Sequence, residues 1–105
     1  MSRKENNARL RRLVLDVLKP HSPSLPEFAT RLSSLDGVRG VNVSLVEIDK
    51  DTETLKVTIE GNLDYNTIRS AMEEWGGVIH SVDEVSAGEL MIKEGKKGKT
   101  RTQEE

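Results

Sequence analysis

The sequence contains no cysteine among its 105 residues. Disulfide bonds, cysteine-ligated zinc, iron–sulfur clusters, copper-carrying cysteine pairs and thiol catalysis are therefore excluded. An intracellular chain is the default expectation for such a composition. We predict a cytoplasmic location, because the apolar run 13–18 behind the basic N-terminal residues is too short for a signal peptide and is interrupted by Asp16.

Long apolar runs and aromatic residues are also scarce. No segment approaches the roughly 20 apolar residues that a membrane-spanning helix needs. The aromatic residues are Phe28, Tyr65 and Trp75, and all of them fall in predicted helices. An RNA-recognition sheet needs aromatic rings on its central strands to stack bases, so RNA binding through the sheet is disfavoured. The core must be built from valine, leucine and isoleucine.

The charge is nearly balanced, with a formal net value of −2, so no general attraction to nucleic acid is expected. Basic residues nevertheless concentrate near both ends. They are Arg3, Lys4, Arg9, Arg11 and Arg12 at the start, and Lys93, Lys96, Lys97, Lys99 and Arg101 at the end. We interpret them as solvated tails, and weak, salt-sensitive nucleic-acid binding through the termini is the alternative.

A central strand is predicted within the segment Leu10 to His21, LRRLVLDVLKPH, which ends in a rigid corner at Lys19, Pro20 and His21. Its odd positions form one apolar face, and its even positions form a mixed face. The apolar face carries Leu13, Leu15 and Val17, and the mixed face carries Arg12, Val14, Asp16 and Leu18. A mixed second face suits a central strand whose outer side is partly covered.

Two amphipathic helices are predicted from their caps and apolar stripes. The first begins near Ser24, which has capping-box spacing to Glu27, with Ser22 before Pro23 as a rival start. The second follows Asp64, a good N-cap residue. Each helix carries one apolar stripe at helical spacing and must cover a sheet face.

Three further strands follow the same logic. Strand two spans about 38–49, and its apolar residues change parity near Glu47. Either a bulge shifts the register there or both faces are partly buried, and we favour the second alternative. Strand three alternates through residues 55–60, strand four begins at Val78, and residues 87–92 form a possible extension.

The order β-α-β-β-α-β predicts the α+β class. Right-handed crossovers place both helices on one face of a four-stranded antiparallel sheet, which is the ferredoxin-like sandwich. We expect a flexible segment at 1–9, the domain at 10–92 and a disordered charged tail at 93–105.

Acidic residues on four predicted strands suggest a hard-cation site. Oxygen ligands of this kind suit calcium or magnesium. The candidate metal ligands are Asp16, Glu47, Glu60, Asp83 and Glu84. The alternative, which we favour, is that Asp16 and Glu60 form cross-strand ion pairs with Arg12 and Lys56. In a regular strand Asp83 and Glu84 point to opposite faces, so only one of them would join a given site.

The remaining candidates are ligand or interface residues, namely Arg12, Lys19, His21 and His80. Either histidine could bind a metal or transfer a proton, but hydrogen bonding at a corner or an interface is the role we expect. No nucleophile, base and orienting group are brought together by the predicted fold, so we predict no catalytic residues, no certain cofactor and no enzyme.

Three segments resemble one family: LDVLKPH at 15–21, TIEG at 58–61 and IHSVDEV at 79–85. The chain is similar over 11–88 to the archaeal family called domain of unknown function 211. The resemblance implies a ferredoxin-like subunit that assembles into a homo-oligomeric ring, with no established activity. It supplies no catalytic residue.

A looser similarity is to ACT-type regulatory domains, which share this element order and bind amino acids at subunit interfaces. The segment 18–44 resembles that pattern, but Pro20, His21 and Ser22 stand where the usual loop glycine would be. We therefore expect a homo-oligomeric binding module for a divalent cation or small ligand, with amino-acid sensing as the alternative and a role as a nucleic-acid accessory protein as the weaker one.

Overall fold

Strand β1 (Leu10–Pro20) is the centre of a four-stranded sheet in this computed structural model, which describes residues 9–89. The other elements are α1 (Leu25–Ser33), β2 (Val38–Ile48), β3 (Thr52–Leu63), α2 (Tyr65–Glu74) and β4 (Val78–Ala87). The predicted βαββαβ order and ferredoxin-like class are confirmed. The predicted tail 93–105, and the N-terminal segment apart from Arg9, lie outside the described residues.

The sheet has the order β2-β3-β1-β4, and every neighbouring pair is antiparallel. Strands β1 and β3 are therefore the inner pair, and β2 and β4 are the edges. Alternate residues of β1 and β3 are fully buried against both helices, as the alternation predicted. The core consists of Leu13, Leu15, Val17, Phe28, Leu32, Leu55, Val57, Ile59, Leu63, Ile68 and Met72.

Both helices begin where their caps predict. Ser24 precedes α1, and its hydroxyl oxygen accepts a hydrogen bond from the Glu27 backbone N–H at 3.3 Å, so the rival start at Ser22 is not used. Asp64 caps α2, and its carboxylate accepts from the Asn66 N–H at 3.1 Å. Within residues 9–89 no helix has the length and apolar character required to cross a membrane.

The helices are much shorter than the strands they cover. Strand β1 has 11 residues and α1 has 9, so they measure about 36 Å and about 14 Å. Two such helices shield the middle of the sheet and leave apolar side chains exposed at its edges. Those on the helix-bearing side are Leu45 (48% exposed) and Ile48 (58%) on β2, and Val82 (43%) and Val85 (52%) on β4.

The register shows that these four side chains share the helix-bearing face, because directly opposite residues of a ladder lie on the same face. Leu45 lies opposite the core residue Leu55, and Val82 and Val85 lie opposite the core residues Leu15 and Leu13. We call Leu45 with Ile48 the β2 edge patch, and Val82 with Val85 the β4 edge patch.

Strand β2 contains a bulge where the apolar parity changes. Its register against β3 shifts between Leu45 and Glu47, which leaves Val46 unpaired and 62% exposed. The prediction of a regular strand with two partly buried faces is therefore wrong, and the bulge is the correct alternative. The extra residue keeps Glu47 on the sheet face opposite the helices, across from Thr54.

Truncation of the core on β1 tests this packing. The Leu15 side chain is fully buried, so Leu15→Ala should lower the free energy of unfolding by about 2–5 kcal/mol. The exposed helix residue Arg69 is the control, since Arg69→Ala should change stability by no more than about 0.5 kcal/mol. Urea unfolding followed by circular dichroism measures both, and equal effects would contradict the assigned core.

Candidate functional site

The sheet face without helices, which we call the outer face, brings most of the predicted functional residues together. Strand β1 presents its even-numbered side chains there, as predicted, and the register places their neighbours. Glu60, Thr58, Lys56 and Thr54 of β3 lie opposite Arg12, Val14, Asp16 and Leu18, respectively. Ser86, Glu84 and Ser81 of β4 lie opposite Arg12, Val14 and Asp16.

Arg12 connects three strands through ion pairs. Its Nη1 contacts the Glu60 carboxylate, and its Nε donates to Glu84 Oε2 at 2.7 Å. Hydrogen bonding to Glu84 and then to Glu60 raises the pKa of Arg12 above its ordinary value. The predicted ion pair of Glu60 is confirmed with Arg12 as its partner. Both carboxylates are thus paired with the Arg12 guanidinium.

Asp16 has no such partner. Its neighbours across the ladders are Lys56 and Ser81, and no ion pair of Asp16 is formed within residues 9–89. Its predicted pairing with a basic residue is therefore wrong in the single chain. Asp16 instead lines a cavity of about 180 Å³ together with His80, Leu18 and Thr54, so two candidate residues from the sequence do meet.

The pairing of β4 with β1 has three register shifts, and two of them skip residues of β4. These two leave His80 and Asp83 without direct partners in the ladder. The Ser81 hydroxyl donates to Asp83 Oδ1 at 2.7 Å, and Ser81 lies across from Asp16. Glu84 pairs with Arg12 and Asp83 accepts from Ser81, so both carboxylates lie on the outer face. The expectation of opposite faces was made for a regular strand, and β4 is not regular here because the bulge at Asp83 changes the alternation.

The five predicted metal ligands are not gathered into one centre. Across residues 9–89, no group of three or more histidine, aspartate or glutamate side chains is placed to hold a metal ion. Glu60 and Glu84 are bound by Arg12, while Glu47 is on β2 and Asp83 is on β4, the two opposite edges of the sheet. A calcium or magnesium site built from more than one chain stays a prediction.

Lys19 closes the corner between β1 and α1. It is only 1% exposed. Its Nζ donates to the carbonyls of Pro20, at 2.8 Å, and Pro23, and lies 3.1 Å from Glu53 Oε1. The ammonium also stands 5.7 Å from the centre of the Phe28 ring. These contacts tie the β1–α1 loop to β3, so Lys19 has a structural role at the position predicted for ligand binding.

His21 binds the hairpin between β2 and β3. Its Nε2 lies 2.8 Å from the Lys50 carbonyl oxygen, and its Nδ1 lies 3.3 Å from Glu53 Oε2. The hydrogen bond to Lys50 and the nearby Glu53 carboxylate raise the pKa of His21. Burial raises the pKa of Glu53, but Lys19 and His21 outweigh it, so the net pKa is lowered. Hydrogen bonding at a corner is therefore confirmed for His21.

Two basic residues that sequence reasoning did not select lie at the other end of the sheet. Arg11 and Arg39 line a cavity of about 470 Å³ together with Glu60, Gly61 and Asn62. The sequence analysis grouped Arg11 with a solvated tail and passed over Arg39. The sequence signal that could have indicated this cavity was Gly61, at the end of predicted strand three. A glycine within a strand often marks a bulge or a close approach of another backbone.

Comparison with known proteins gives two matches. Residues 11–101 match the sequence model of domain of unknown function 211 (DUF211), described as Uncharacterized ArCR. An uncharacterised protein of Methanocaldococcus jannaschii is 54% identical to this chain over 86 residues, which cover 81% of this chain and 89% of that protein. Neither description includes an activity.

The His21 contacts predict a specific pH dependence of stability. Because the folded-state pKa of His21 is raised, its contribution is fully present below the unfolded value of about 6.5 and is lost as pH rises through the folded pKa. Urea midpoints at pH 5.5, 7 and 8.5 should show this loss in the wild type and not in His21→Gln. His80→Gln is the control and should retain it, because His80 does not contact Glu53. An unchanged profile in His21→Gln would contradict the assignment.

Proposed function

The chain belongs to the domain of unknown function 211 family. We propose that it is a non-enzymatic, homo-oligomeric binding module whose subunits meet through the edges of their sheets. The family description, Uncharacterized ArCR, assigns no reaction. The proposal therefore rests on the geometry of the chain. The observation that carries it is the pair of exposed apolar patches on the two edge strands.

The β2 and β4 edge patches lie on the same face of the sheet but on opposite edges. Soluble domains bury most of their large aliphatic side chains, so exposed patches of this kind mark contact surfaces. The two helices do not cover either patch, because they are much shorter than the strands on which they pack. A second copy of the chain supplies the missing cover for both patches.

The direction of the strands favours a head-to-tail arrangement. Antiparallel pairing throughout the sheet makes β2 and β4 antiparallel to each other. Two subunits in the same orientation therefore present antiparallel edges, and repetition of this contact through a rotation that closes gives a ring.

Bulges at Val46, His80 and Asp83 interrupt both edges. The seam is for this reason built mainly from side chains, because bulges disfavour a continued hydrogen-bond ladder.

The two edges of the proposed seam each carry an acidic residue. Glu47 is on the β2 edge and Asp83 on the β4 edge, both on the outer face, so each side of a β2-to-β4 contact contributes a carboxylate, at different levels of the sheet. The cavity lined by Asp16 and His80 lies beside β4. Calcium takes about 6–8 oxygen ligands. A single chain places fewer oxygen ligands than this at the seam, so a divalent cation binds between subunits.

The alternatives named from the sequence lack a supporting contact in residues 9–89. An ACT-like amino-acid sensor would use a subunit seam too, but the β1–α1 corner is filled by Lys19 and its two carbonyl partners. The nucleic-acid alternative depends on the basic termini, most of which lie outside the described residues. The cation-bearing oligomer is the proposal that the described contacts support.

Substitution in the β4 edge patch tests the assembly. Val85→Asp places a charge in the proposed seam and should shift the wild-type oligomer to an 11.7 kDa monomer, because an unpaired carboxylate is costly to bury. Ser70→Asp adds the same charge to the exposed side of α2 and should leave the oligomer intact. Light scattering coupled to gel filtration at micromolar concentration gives the masses. A wild type that is already monomeric would refute the assembly.

Cation binding is tested separately by calorimetry with calcium, magnesium and manganese. The wild type should bind at least one of them, and Asp16→Asn should weaken that binding about tenfold or more, because it removes a carboxylate from the proposed site. Asp51→Asn, in the exposed β2–β3 loop, makes the same charge change and should bind as the wild type does. No heat with any of the three metals would remove the cation from the proposal.

A further inference from the structure

We propose that Arg11 and Arg39 form a binding site for a phosphate group at the end of the sheet opposite the β2–β3 hairpin. The inference goes beyond the oligomeric module and does not depend on assembly, because one chain supplies every residue that lines the cavity. Its starting point is a set of register shifts at the same level of β1 and β2, the two strands that flank β3.

Arg11 and Arg39 both stand at breaks in the ladders. The pairing of β1 with β3 and with β4 skips from Leu10 to Arg12, and the pairing of β2 with β3 skips from Val38 to Gly40. The two arginines are thus the unpaired residues of β1 and β2 at the same level of the sheet. Bulges redirect side chains and are common beside functional sites, and here two bulges direct arginines to one cavity.

Gly61 permits the close approach of β2 at this level. Its φ is +154°, and a Cβ atom there would lie 2.1 Å from the Gly37 carbonyl oxygen and 2.8 Å from the Arg39 backbone nitrogen. The same Cβ would lie 3.1 Å from Arg39 Cγ. The stem of Arg39 therefore crosses directly over the glycine, and any larger residue at position 61 would displace it.

Within residues 9–89 neither guanidinium has a protein acceptor. Arg11 Nε is buried and has no hydrogen-bond partner among these residues, and neither the half-buried Arg11 nor the exposed Arg39 forms an ion pair with any of them. A buried polar atom without a partner costs free energy and calls for an explanation such as a bound ion. Arg12, the next residue, differs because two carboxylates already satisfy it.

The chemistry and size of the cavity select the ligand class. Guanidinium groups bind phosphate oxygens with paired N–H donors, and two of them together prefer a multiply charged oxyanion. The volume of about 470 Å³ is in the range of roughly 300–1,000 Å³ that holds small organic ligands. Glu60 also lines the cavity, but Arg12 neutralises it. The ligand is a phosphate group, either as the free ion or as a phosphate ester.

Calorimetry of the full chain at low salt, with inorganic phosphate and with adenosine monophosphate as probes, tests the site. At least one probe should bind the wild type, and Arg39→Gln should raise its Kd about tenfold or more, because one charge-assisted contact is lost. Arg11→Lys keeps the charge but removes the planar donor and should also weaken binding. Arg69→Gln, on the exposed surface of α2, makes a matched charge change and should stay within about twofold of the wild type.

The pattern of results separates the sources of the phosphate. Binding of inorganic phosphate that depends on Arg39 identifies the free ion, and binding of the nucleotide alone identifies an ester. Failure of both probes to bind the folded wild type overturns the proposal. Equal weakening by Arg69→Gln and Arg39→Gln overturns it as well, because the effect would then reflect net charge. Either result leaves the oligomer, which is tested by mass, untouched.

Discussion

The constraint on which the rest of this structure depends is the mismatch between a long sheet and two short helices. Strands of 10 to 12 residues meet helices of 9 and 10, so the helices shield the inner strands over only part of their length. The core is accordingly concentrated on β1 and β3. The edge strands keep exposed leucine, isoleucine and valine side chains, and the exposure of these residues supplies the driving force for the proposed association.

Broken register is the second organising feature. Arg11, Arg39, Val46, His80 and Asp83 each occupy a position that one ladder skips. In a regular strand the pleat decides which face a side chain takes, and at these positions the bulge decides instead. The result is a sheet whose inner strands provide stability while its irregular positions hold the chemically distinctive side chains. Both proposed sites lie beside such positions.

The fold could be predicted from the sequence because its determinants are local. The alternation along β1 identified the buried face, and Ser24 and Asp64 identified the helix starts. The candidate site was only partly predictable, since Arg12 was assigned to the outer face but its bond to Glu84 requires the strand order. The burial of Lys19, which was selected as a ligand or interface residue, could not be predicted, because a long basic side chain gives no sequence signal that it is buried. The bulge near Glu47 was named only as the less favoured alternative and the other bulges were missed, because the residue that a ladder skips is set by the partner strand.

The most direct test of the central claim uses the absence of cysteine. Leu45→Cys in the β2 edge patch and Val82→Cys, the residue of the β4 edge patch nearer to it in level, are combined in one chain and treated with a short bismaleimide crosslinker. A head-to-tail seam places the two thiols of neighbouring subunits together, so the double variant should form a ladder of covalent multimers. Each single variant should remain at the mass of one chain. Crosslinked dimers from either single variant would show a two-fold contact instead, and no crosslinking in the double variant would contradict the seam.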